Sequence, residues 1–247
     1  MRRLAPWILL TGLCLPTSGP AWCWEAETRV RIVDEAVRFM PASLRLALEK
    51  HREPLLRGLL TPMTDEGGPR HRPPWIDGTL DRTLVGAAEE LRSLLGRRTP
   101  FAELARGFGA AAHYVLDAGF PPGVTDADGD SRYAHFARFC KSRRERFPLV
   151  FYGHADPALD RGDFHAFGLA VMARARTDDR QLSRAYANAG SPPNPAAFDD
   201  RSVPFAVASL SYSRGVTDVV RLWLRVWQEA GGDMGSTPYL KQETRSK

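Results

Sequence analysis

Apolar residues recur at intervals of three and four along most of the chain, which is the spacing of one face of an α-helix. This pattern predicts helices over residues 24–40, 42–60, 80–97, 99–119, 132–147, 162–176, 178–189 and 204–230. The segment 42–60 is either one helix or a pair broken near Pro54. No segment shows the sustained alternation of apolar and polar residues that a half-buried strand requires. The sequence therefore predicts an all-α fold.

One of these segments, residues 99–119, consists mostly of small and apolar residues (TPFAELARGFGAAAHYVLDAG). Thr99 suits the N-cap of a helix, and Pro100 suits its first helical position. Gly119 can adopt the left-handed conformation with which many helices end. The composition predicts that this helix is buried, with the rest of the chain arranged around it.

Two polar residues of this helix, His113 and Asp117, lie four positions apart and therefore project from the same face. A buried polar group without a partner is costly, so the pair needs an explanation. A direct hydrogen bond between the two side chains is one. A shared metal ion is the other, since imidazole and carboxylate groups both bind zinc. The spacing alone leaves both open.

The first 23 residues have the pattern of a secretory signal peptide. Arg2 and Arg3 form a short positive region, and residues 7–15 (WILLTGLCL) form an apolar stretch too short to span a bilayer. Cleavage is expected before Trp24, with a cut after Ala21 as the alternative. The sequence thus predicts an exported protein, either secreted or periplasmic.

The chain is expected to divide into a signal peptide (1–23), a single helical domain (24–232) and a flexible polar tail (233–247). No other stretch is long and apolar enough to be a transmembrane segment. Removal of the signal peptide leaves Cys140 as the last of three cysteines, so no internal disulfide is expected. An exported domain without disulfides depends on its core or on a metal for stability.

The charge balance gives little information about partners. The chain has 34 Lys and Arg against 29 Asp and Glu, a net charge of +5. Loss of Arg2 and Arg3 with the signal peptide lowers this to +3, which is 32 basic minus 29 acidic residues. This is a weak preference for anionic partners and no indication of nucleic-acid binding.

Two loops contain further candidate residues. The loop 61–77 is rich in proline and glycine and contains Asp65 and His71, for which ordinary solvated positions are the default interpretation. The loop 120–131 has alternating aspartates like the start of a calcium loop. Its glycine falls at the fourth position, and Ala137 stands where the bidentate Glu belongs, so the EF-hand pattern fails. A solvated acidic turn is expected there.

Three features together resemble the family of zinc-dependent phospholipases C and S1–P1 nucleases. Trp24 follows the predicted signal peptide, His113 and Asp117 form a His-x-x-x-Asp motif before Pro121, and residues 211–227 (SYSRGVTDVVRLWLRVW) close the domain with a long helix. Members of this family are secreted, all-helical hydrolases of phosphate esters that hold three zinc ions. The resemblance implies a multi-helix bundle like that of phospholipase C and P1 nuclease.

The resemblance also implies a set of zinc ligands. The amino group and carbonyl of the first mature residue, here Trp24, bind one zinc ion in the family, and the carboxylate matched by Asp117 bridges two ions. An Asp and a His in an upstream loop are matched most nearly by Asp65 and His71. Together with His113, these five residues are the expected metal ligands.

Several positions depart from the family pattern, and each departure removes an expected ligand. The nuclease branch has a zinc-binding His where this chain has Arg29, which cannot bind zinc. Other family ligands are replaced by Pro122, Gly123, Asp130 and Ala134, and His135 is displaced by one residue, about 100° around the helix. One site, made by Asp65, His71, His113 and Asp117, is expected to survive. Arg29 is expected to replace one cation, pair with Asp117 and hold a substrate phosphate.

Two functions follow from these residues. The first is a zinc-dependent hydrolase of phosphodiesters, either phospholipids or nucleotides, with one zinc ion instead of three and possible peripheral contact with a membrane. Asp65 is then a ligand or the catalytic base. The second is a non-catalytic helical scaffold that binds a lipid or a partner. An unrelated helical bundle with a fortuitous His–Asp pair is a third possibility, and in it Asp65 and His71 would lie far from His113.

Overall fold

The structure, a computed structural model, describes residues 24–65, 67–97, 99–125, 131–190 and 198–240. Over these residues the chain is all-α and contains no strand, which confirms the expected fold class. The expected signal peptide (1–23) and the aspartates of the acidic turn (126–130) lie outside the described residues. The helices are α1 (Ala26–Arg38), α2 (Ala42–Lys50), α3 (Arg52–Leu60), α4 (Leu80–Gly96), α5 (Phe101–Ala118), α6 (Ser131–Arg143), α7 (Pro157–Asp160), α8 (Phe164–Ala189) and α9 (Val203–Glu229).

Helix α5 lies at the centre of the fold, in contact with α3, α4, α8 and α9. Its residues are buried without interruption from Ala111 to Ala118. The indole of Trp223, on α9, donates a hydrogen bond of 3.0 Å to the carbonyl oxygen of Phe108. The predicted buried helix is therefore present, and His113 and Asp117 lie within the core.

Helices α3 and α5 cross at very short range because each has a glycine at the crossing. A Cβ atom on Gly58 would lie 2.0 Å from the carbonyl oxygen of Arg106, and one on Gly109 would lie 2.0 Å from that of Leu55. Any side chain at either position would push the helices apart. The close crossing brings the last turn of α3 against the part of α5 that contains His113.

The helix expected to break after residue 176 is instead continuous, since α8 runs through that point as one helix. Thr177 donates a hydrogen bond of 3.1 Å to the carbonyl oxygen of Ala173, one turn earlier. Asp178 is buried and pairs with Arg214 on α9. Threonine and aspartate favour helix ends because they compete for backbone groups, but here tertiary partners and the helix itself satisfy them.

The helix ends differ in detail from those expected. The segment 42–60 forms two helices that meet at His51, and Pro54 lies in the first turn of α3, where proline is tolerated. Pro100, not Thr99, is the N-cap of α5, and no side chain caps it. Gly119 keeps a right-handed conformation with φ −91°, so α5 ends without a left-handed glycine.

The segment after α9 lies against the domain as far as residue 240. The indole of Trp227 donates a hydrogen bond of 3.0 Å to the carbonyl oxygen of Asp233, and His154 Nε2 lies 2.8 Å from the carbonyl oxygen of Pro238. The Tyr239 ring lies 5.9 Å from that of Phe39. Among the described helices, none combines the length and apolar character that crossing a membrane demands.

Candidate metal centre

The structure brings together residues that lie far apart in the sequence. Helix α5 contributes two of them, the loop between α3 and α4 contributes two more, and the first turns of α1 with the segment just before it contribute the rest. These residues are Trp24, Arg29, Asp65, His71, His113 and Asp117. This grouping speaks against a fortuitous His–Asp pair, for which Asp65 and His71 should lie far from α5.

Three ligand atoms converge at the centre of this group. His71 Nδ1 lies 2.7 Å from Asp117 Oδ2, His113 Nε2 lies 3.1 Å from the same oxygen, and the two nitrogens are 3.4 Å apart. The side chains are 3%, 0% and 2% exposed, for His71, His113 and Asp117 respectively. Among the described residues, this is a group of His, Cys, Asp or Glu side chains that could hold a metal ion.

The carbonyl oxygen of Leu59 fixes the protonation of the His113 ring. This oxygen lies in the last turn of α3, where carbonyls have no partner within the helix, and it lies 2.7 Å from His113 Nδ1. A carbonyl only accepts, so Nδ1 is the protonated nitrogen and Nε2 presents a lone pair to the cluster. Burial lowers the pKa of His113, and the charge of Arg29 lowers it further, which favours the neutral ring.

The neutral ring of His113 leaves two electron-rich atoms facing each other across 3.1 Å, its Nε2 and Asp117 Oδ2. Such a contact is repulsive unless a proton or a cation lies between the atoms. In a tetrahedral zinc site with bonds of about 2.0–2.1 Å, neighbouring ligand atoms are about 3.4 Å apart. The separations of 3.4 Å and 3.1 Å are close to this value. The 2.7 Å between His71 Nδ1 and Asp117 Oδ2 is a hydrogen-bond distance that would lengthen when an ion replaces the proton, so these residues can accommodate a divalent ion.

His71 contacts a carboxylate with each of its nitrogens. Nδ1 faces Asp117, and Nε2 lies 3.2 Å from Asp65 Oδ1. Burial works to lower the pKa of His71, but the hydrogen bond and the charge of Asp117 outweigh it, and the pKa is raised. Without a divalent ion, the raised pKa favours a protonated His71 as a cation at the centre. A metal ion would take the place of its Nδ1 proton, while Nε2 stays bound to Asp65, as is usual for metal-bound histidines.

Asp65 lies at the edge of the cluster, and it contacts His71 on the side away from the three convergent atoms. Its side chain is 45% exposed, and its Oδ2 accepts a hydrogen bond of 2.7 Å from Arg70. Burial works to raise the pKa of Asp65, but hydrogen bonds from His71 and Arg70 outweigh it, and the pKa is lowered. Asp65 is thus an ionised carboxylate at the solvent side of the centre.

Asp117 is the buried anion of the centre. Burial works to raise its pKa, but the charge of Arg29 and the hydrogen bond from His71 outweigh it and hold the pKa well below its usual range. Arg29 donates to Asp117 Oδ1 at 2.6 Å, so the two carboxylate oxygens face different cations. The expected pairing of Arg29 with Asp117 is present in the structure.

Arg29 itself is enclosed, with no exposed surface. Besides Asp117, its guanidinium donates to the carbonyl oxygens of Trp24 at 2.8 Å and His113 at 3.3 Å. The structure therefore does not present this guanidinium to a substrate phosphate in solution. The carbonyl of Trp24, expected to bind zinc, accepts a hydrogen bond from Arg29, and the Trp24 side chain is buried against Phe120.

Residues at the departures from the family pattern lie elsewhere or offer no ligand. Pro122 and Gly123 form a short turn after α5. On α6, Nδ1 of His135 lies 2.7 Å from the hydroxyl of Tyr186, and its ring also packs on Phe198. Asp130 lies outside the described residues. Nothing in these contacts supplies a ligand to the three convergent atoms.

Sequence reasoning overlooked three contributors to the site. The carbonyl of Leu59 is a backbone group, and residue type does not reveal it. Gly109 stands one helical turn before His113, a spacing that indicates the same face but not a helix crossing. Arg70 directly precedes His71 in the sequence, which was the available signal for its position at the edge of the site.

Comparisons with known proteins agree with this picture at the level of the fold. No sequence profile of a known protein family matches the chain, and no curated protein matches it in sequence. The similar solved structures include the alpha-toxin of Clostridium perfringens from avian strain SWCP, with 13% identity and a TM-score of 0.61, and the alpha-toxin of Clostridium absonum, with 12% identity and a TM-score of 0.57.

The similarity covers 87% of this chain and 66% of the first toxin, and 91% of this chain and 67% of the second. The chain thus spans about two thirds of the length of the toxins. At these identities the likeness concerns the fold, which is the level at which the resemblance drawn from the sequence is confirmed. The chain has the all-α, phospholipase C-like fold of the clostridial alpha-toxins.

Proposed function

We propose that the protein is a metal-dependent phosphoester hydrolase that holds a single zinc ion between His71, His113 and Asp117. One observation carries the proposal: two electron-rich atoms, His113 Nε2 and Asp117 Oδ2, face each other across 3.1 Å in the protein interior. A neighbouring carbonyl fixes the orientation of the ring, so the ring cannot relieve the contact by exchanging its protonated nitrogen. A divalent cation relieves it.

The three proposed ligands leave a fourth position open in a tetrahedral site, which is typical of catalytic zinc and not of structural zinc. A zinc ion held there supplies Lewis-acid polarisation of a phosphoryl oxygen and makes water more acidic. The proposed ligand set therefore has three of the five residues that the family resemblance implies, and it leaves out Trp24 and Asp65. Trp24 is engaged by Arg29, and Asp65 contacts the far nitrogen of His71.

Asp65 is proposed as the catalytic base. It is ionised and 45% exposed. Because it contacts the side of His71 that faces away from the proposed ion, it would take a proton from the attacking water through one intervening water. Arg70, 51% exposed and bound to the same carboxylate, holds it in place and adds positive charge where an anionic phosphodiester would approach.

The experiment combines metal analysis with activity. Protein purified without chelator or affinity metal is expected to contain about one zinc per chain. It should hydrolyse at least one of three probes: bis(p-nitrophenyl) phosphate, phosphatidylcholine vesicles or single-stranded DNA. His113→Gln should lower both metal content and hydrolysis, the latter at least about 100-fold. His135→Gln is the control substitution, because His135 is a partly buried histidine that contacts Tyr186 and not the cluster.

A non-catalytic scaffold is the second candidate, and one observation favours it. A protonated His71 between Asp117 and Asp65, with Arg29 on the other oxygen of Asp117, balances the charges of the site without any metal. Protein that takes up no zinc when zinc is offered, and that hydrolyses none of the probes, would establish the scaffold and refute the hydrolase.

We also propose that the chain is exported, either to the periplasm or outside the cell. The support is the sequence of residues 1–23, with two arginines followed by a short apolar stretch. N-terminal sequencing of protein recovered from outside the cytoplasm should begin at Trp24. Recovery of the full-length chain in the cytoplasm alone would contradict this.

A further inference from the structure

The side chain of Arg29 is unusual because a full positive charge is completely enclosed by the protein. Its Nε donates to the carbonyl oxygen of Trp24 at 2.8 Å, and its Nη2 donates to Asp117 Oδ1 at 2.6 Å. Its Nη1 lies 3.3 Å from the carbonyl oxygen of His113 and 3.2 Å from the His113 Nδ1. Because that nitrogen is itself a donor to Leu59, the carbonyl is the partner of Nη1.

The acceptors that the structure describes for Arg29 include two carbonyl oxygens and one carboxylate oxygen. Oxygens that converge on one point from separate segments form a position for a cation, since each brings negative charge and none brings a donor. The position lies directly beside the three ligand atoms, and Asp117 belongs to both: its Oδ1 faces Arg29 and its Oδ2 faces the imidazoles. The centre therefore has two neighbouring cation positions that share one carboxylate.

We infer that Arg29 is the permanent occupant of the second position, a cation covalently built into the chain that holds Asp117 and the start of α1 in place. The guanidinium cannot be removed by chelators or displaced by metal, and it stays charged at any pH the fold survives. The site consequently exchanges one ion only, at the position between His71, His113 and Asp117. Arg29 is a positioning residue and does not contact substrate.

The geometry of Asp117 shows how this positioning works. A carboxylate with one oxygen bound to an enclosed guanidinium is restrained from rotating, so its other oxygen stays directed at the two imidazoles. The same guanidinium ties Trp24, two residues before the start of α1, to α5, the helix that supplies His113 and Asp117. The metal-free protein should therefore keep the arrangement of its ligands. The role of Arg29 does not depend on the proposed function. Only the exchangeable ion between His71, His113 and Asp117 rests on that proposal.

The test deletes the guanidinium of Arg29 by mutation and then adds a soluble guanidinium compound to the variant. Arg29→Ala should lower the Tm of the metal-free protein by about 10 °C, and millimolar methylguanidinium should restore a substantial part of that loss. Arg31→Ala is the matched control, two residues along the same helix with its side chain 27% exposed. It should lower the Tm by no more than about 4 °C and gain nothing from methylguanidinium.

A second pair of variants decides the matter if Arg29→Ala does not fold. Arg29→Lys keeps the charge and Arg29→Met keeps the length without it, so the lysine variant should have the higher Tm. A methionine variant as stable as the lysine variant, or equal gains from methylguanidinium in Arg29→Ala and the wild type, would overturn the inference. These measurements use metal-free protein, so they succeed or fail independently of whether zinc is bound.

Zinc titration distinguishes a positioning role of Arg29 from a purely structural one, because a purely structural role would leave the zinc affinity of a folded variant unchanged. Wild type should bind one ion, and folded Arg29→Lys should bind one ion about 10–100-fold more weakly, because Asp117 is held less firmly. Unchanged zinc affinity in a folded Arg29→Lys would contradict the positioning role.

Discussion

Two aspartates lie deep in the protein beside arginines, and they differ in what else surrounds them. Asp117 on α5 faces the enclosed Arg29 and two imidazoles, whereas Asp218 on α9 faces Arg174 at 2.7 Å and Arg221 at 3.5 Å. Those two arginines are 33% and 14% exposed, so the second group reaches solvent. Burial raises the pKa of Asp218 in spite of both arginines, whereas the pKa of Asp117 is lowered.

The surroundings of Asp218 and Asp117 differ in whether they contain groups that can bind a metal ion. Arginine has no lone pair to offer and cannot bind a metal, so the surroundings of Asp218 provide charge pairing only. The imidazoles beside Asp117 add nitrogens that exchange a proton for a metal ion. A buried aspartate with arginine is thus a structural feature of this fold, and the added histidines turn it into a candidate centre.

Replacing each aspartate by asparagine gives the largest expected contrast. Asp117→Asn leaves Arg29 buried without a counter-charge, which should cost about 3–5 kcal/mol of unfolding free energy. Asp218→Asn should cost about 1–2 kcal/mol, because its arginines reach water and its pKa is already raised. Urea denaturation of both variants measures the contrast. Equal losses of unfolding free energy would show that leaving the enclosed Arg29 without a counter-charge costs no more than removing the partner of the partly exposed arginines.

The glycine crossing offers the next contrast. Gly109→Ala should cost about 1–3 kcal/mol, because the added methyl group would lie 2.0 Å from the Leu55 carbonyl and force α3 away from α5. Gly86→Ala in the interior of α4 meets nothing within 4 Å, and it should stabilise the protein by about 0.5–1 kcal/mol. Denaturation curves give both values. A weaker zinc affinity in Gly109→Ala alone would tie the crossing to the orientation of His113.

The pH dependence of the metal-free protein should come in part from His71. Its pKa in the folded state is raised above the unfolded value of about 6.5, so its stabilising contribution is complete below that pH and is lost as the pH rises through the folded pKa. Stability should therefore fall as the pH rises above about 6.5. His71→Gln should flatten this slope in denaturation measured from acidic to alkaline pH. A slope that survives the substitution would assign the titration to another group.

Zinc binding should depend on pH in the opposite sense to the stability of the metal-free protein. Binding at His71 Nδ1 displaces the proton that this nitrogen donates to Asp117, so zinc affinity should rise with pH until His71 is neutral. Isothermal titration calorimetry in buffers of different ionisation enthalpy counts the proton released. No proton release would place the ion away from His71.

The smallest effect on stability is expected at the edge of the centre. Asp65→Asn should change the unfolding free energy by no more than about 1 kcal/mol, because nearly half of this side chain is exposed to solvent. Hydrolysis should nevertheless fall about 10²-fold or more if Asp65 is the base. Asp34→Asn, which removes an exposed partner of Arg52, is the control that should leave hydrolysis unchanged. A comparable loss of hydrolysis in both variants would contradict a catalytic role of Asp65.

The sequence was a good guide wherever the signal was a side chain at a regular spacing. The positions of His113 and Asp117 on one buried face followed from a separation of four residues. The proximity of Asp65 and His71 to that face followed from the family resemblance and not from periodicity, because a loop between helices has none.

Other features were beyond sequence reasoning for definite reasons. The tautomer of His113 depends on the Leu59 carbonyl, and every residue has a carbonyl, so nothing marks this one. The orientation of Asp65 toward the far nitrogen of His71 depends on how a loop closes. The continuity of α8 past Asp178 depends on Arg214 from another helix, a tertiary contact that overrides local preference.

The order of the site residues along the chain has a consequence for folding kinetics. All six lie between residues 24 and 117, and α8 and α9, which cover the other sides of α5, come later. A metal ion that binds the early helices can organise them before the late helices dock. Contacts made before the rate-limiting step change the rate of folding and leave the rate of unfolding nearly unchanged. In stopped-flow experiments, zinc should therefore speed refolding more than it slows unfolding.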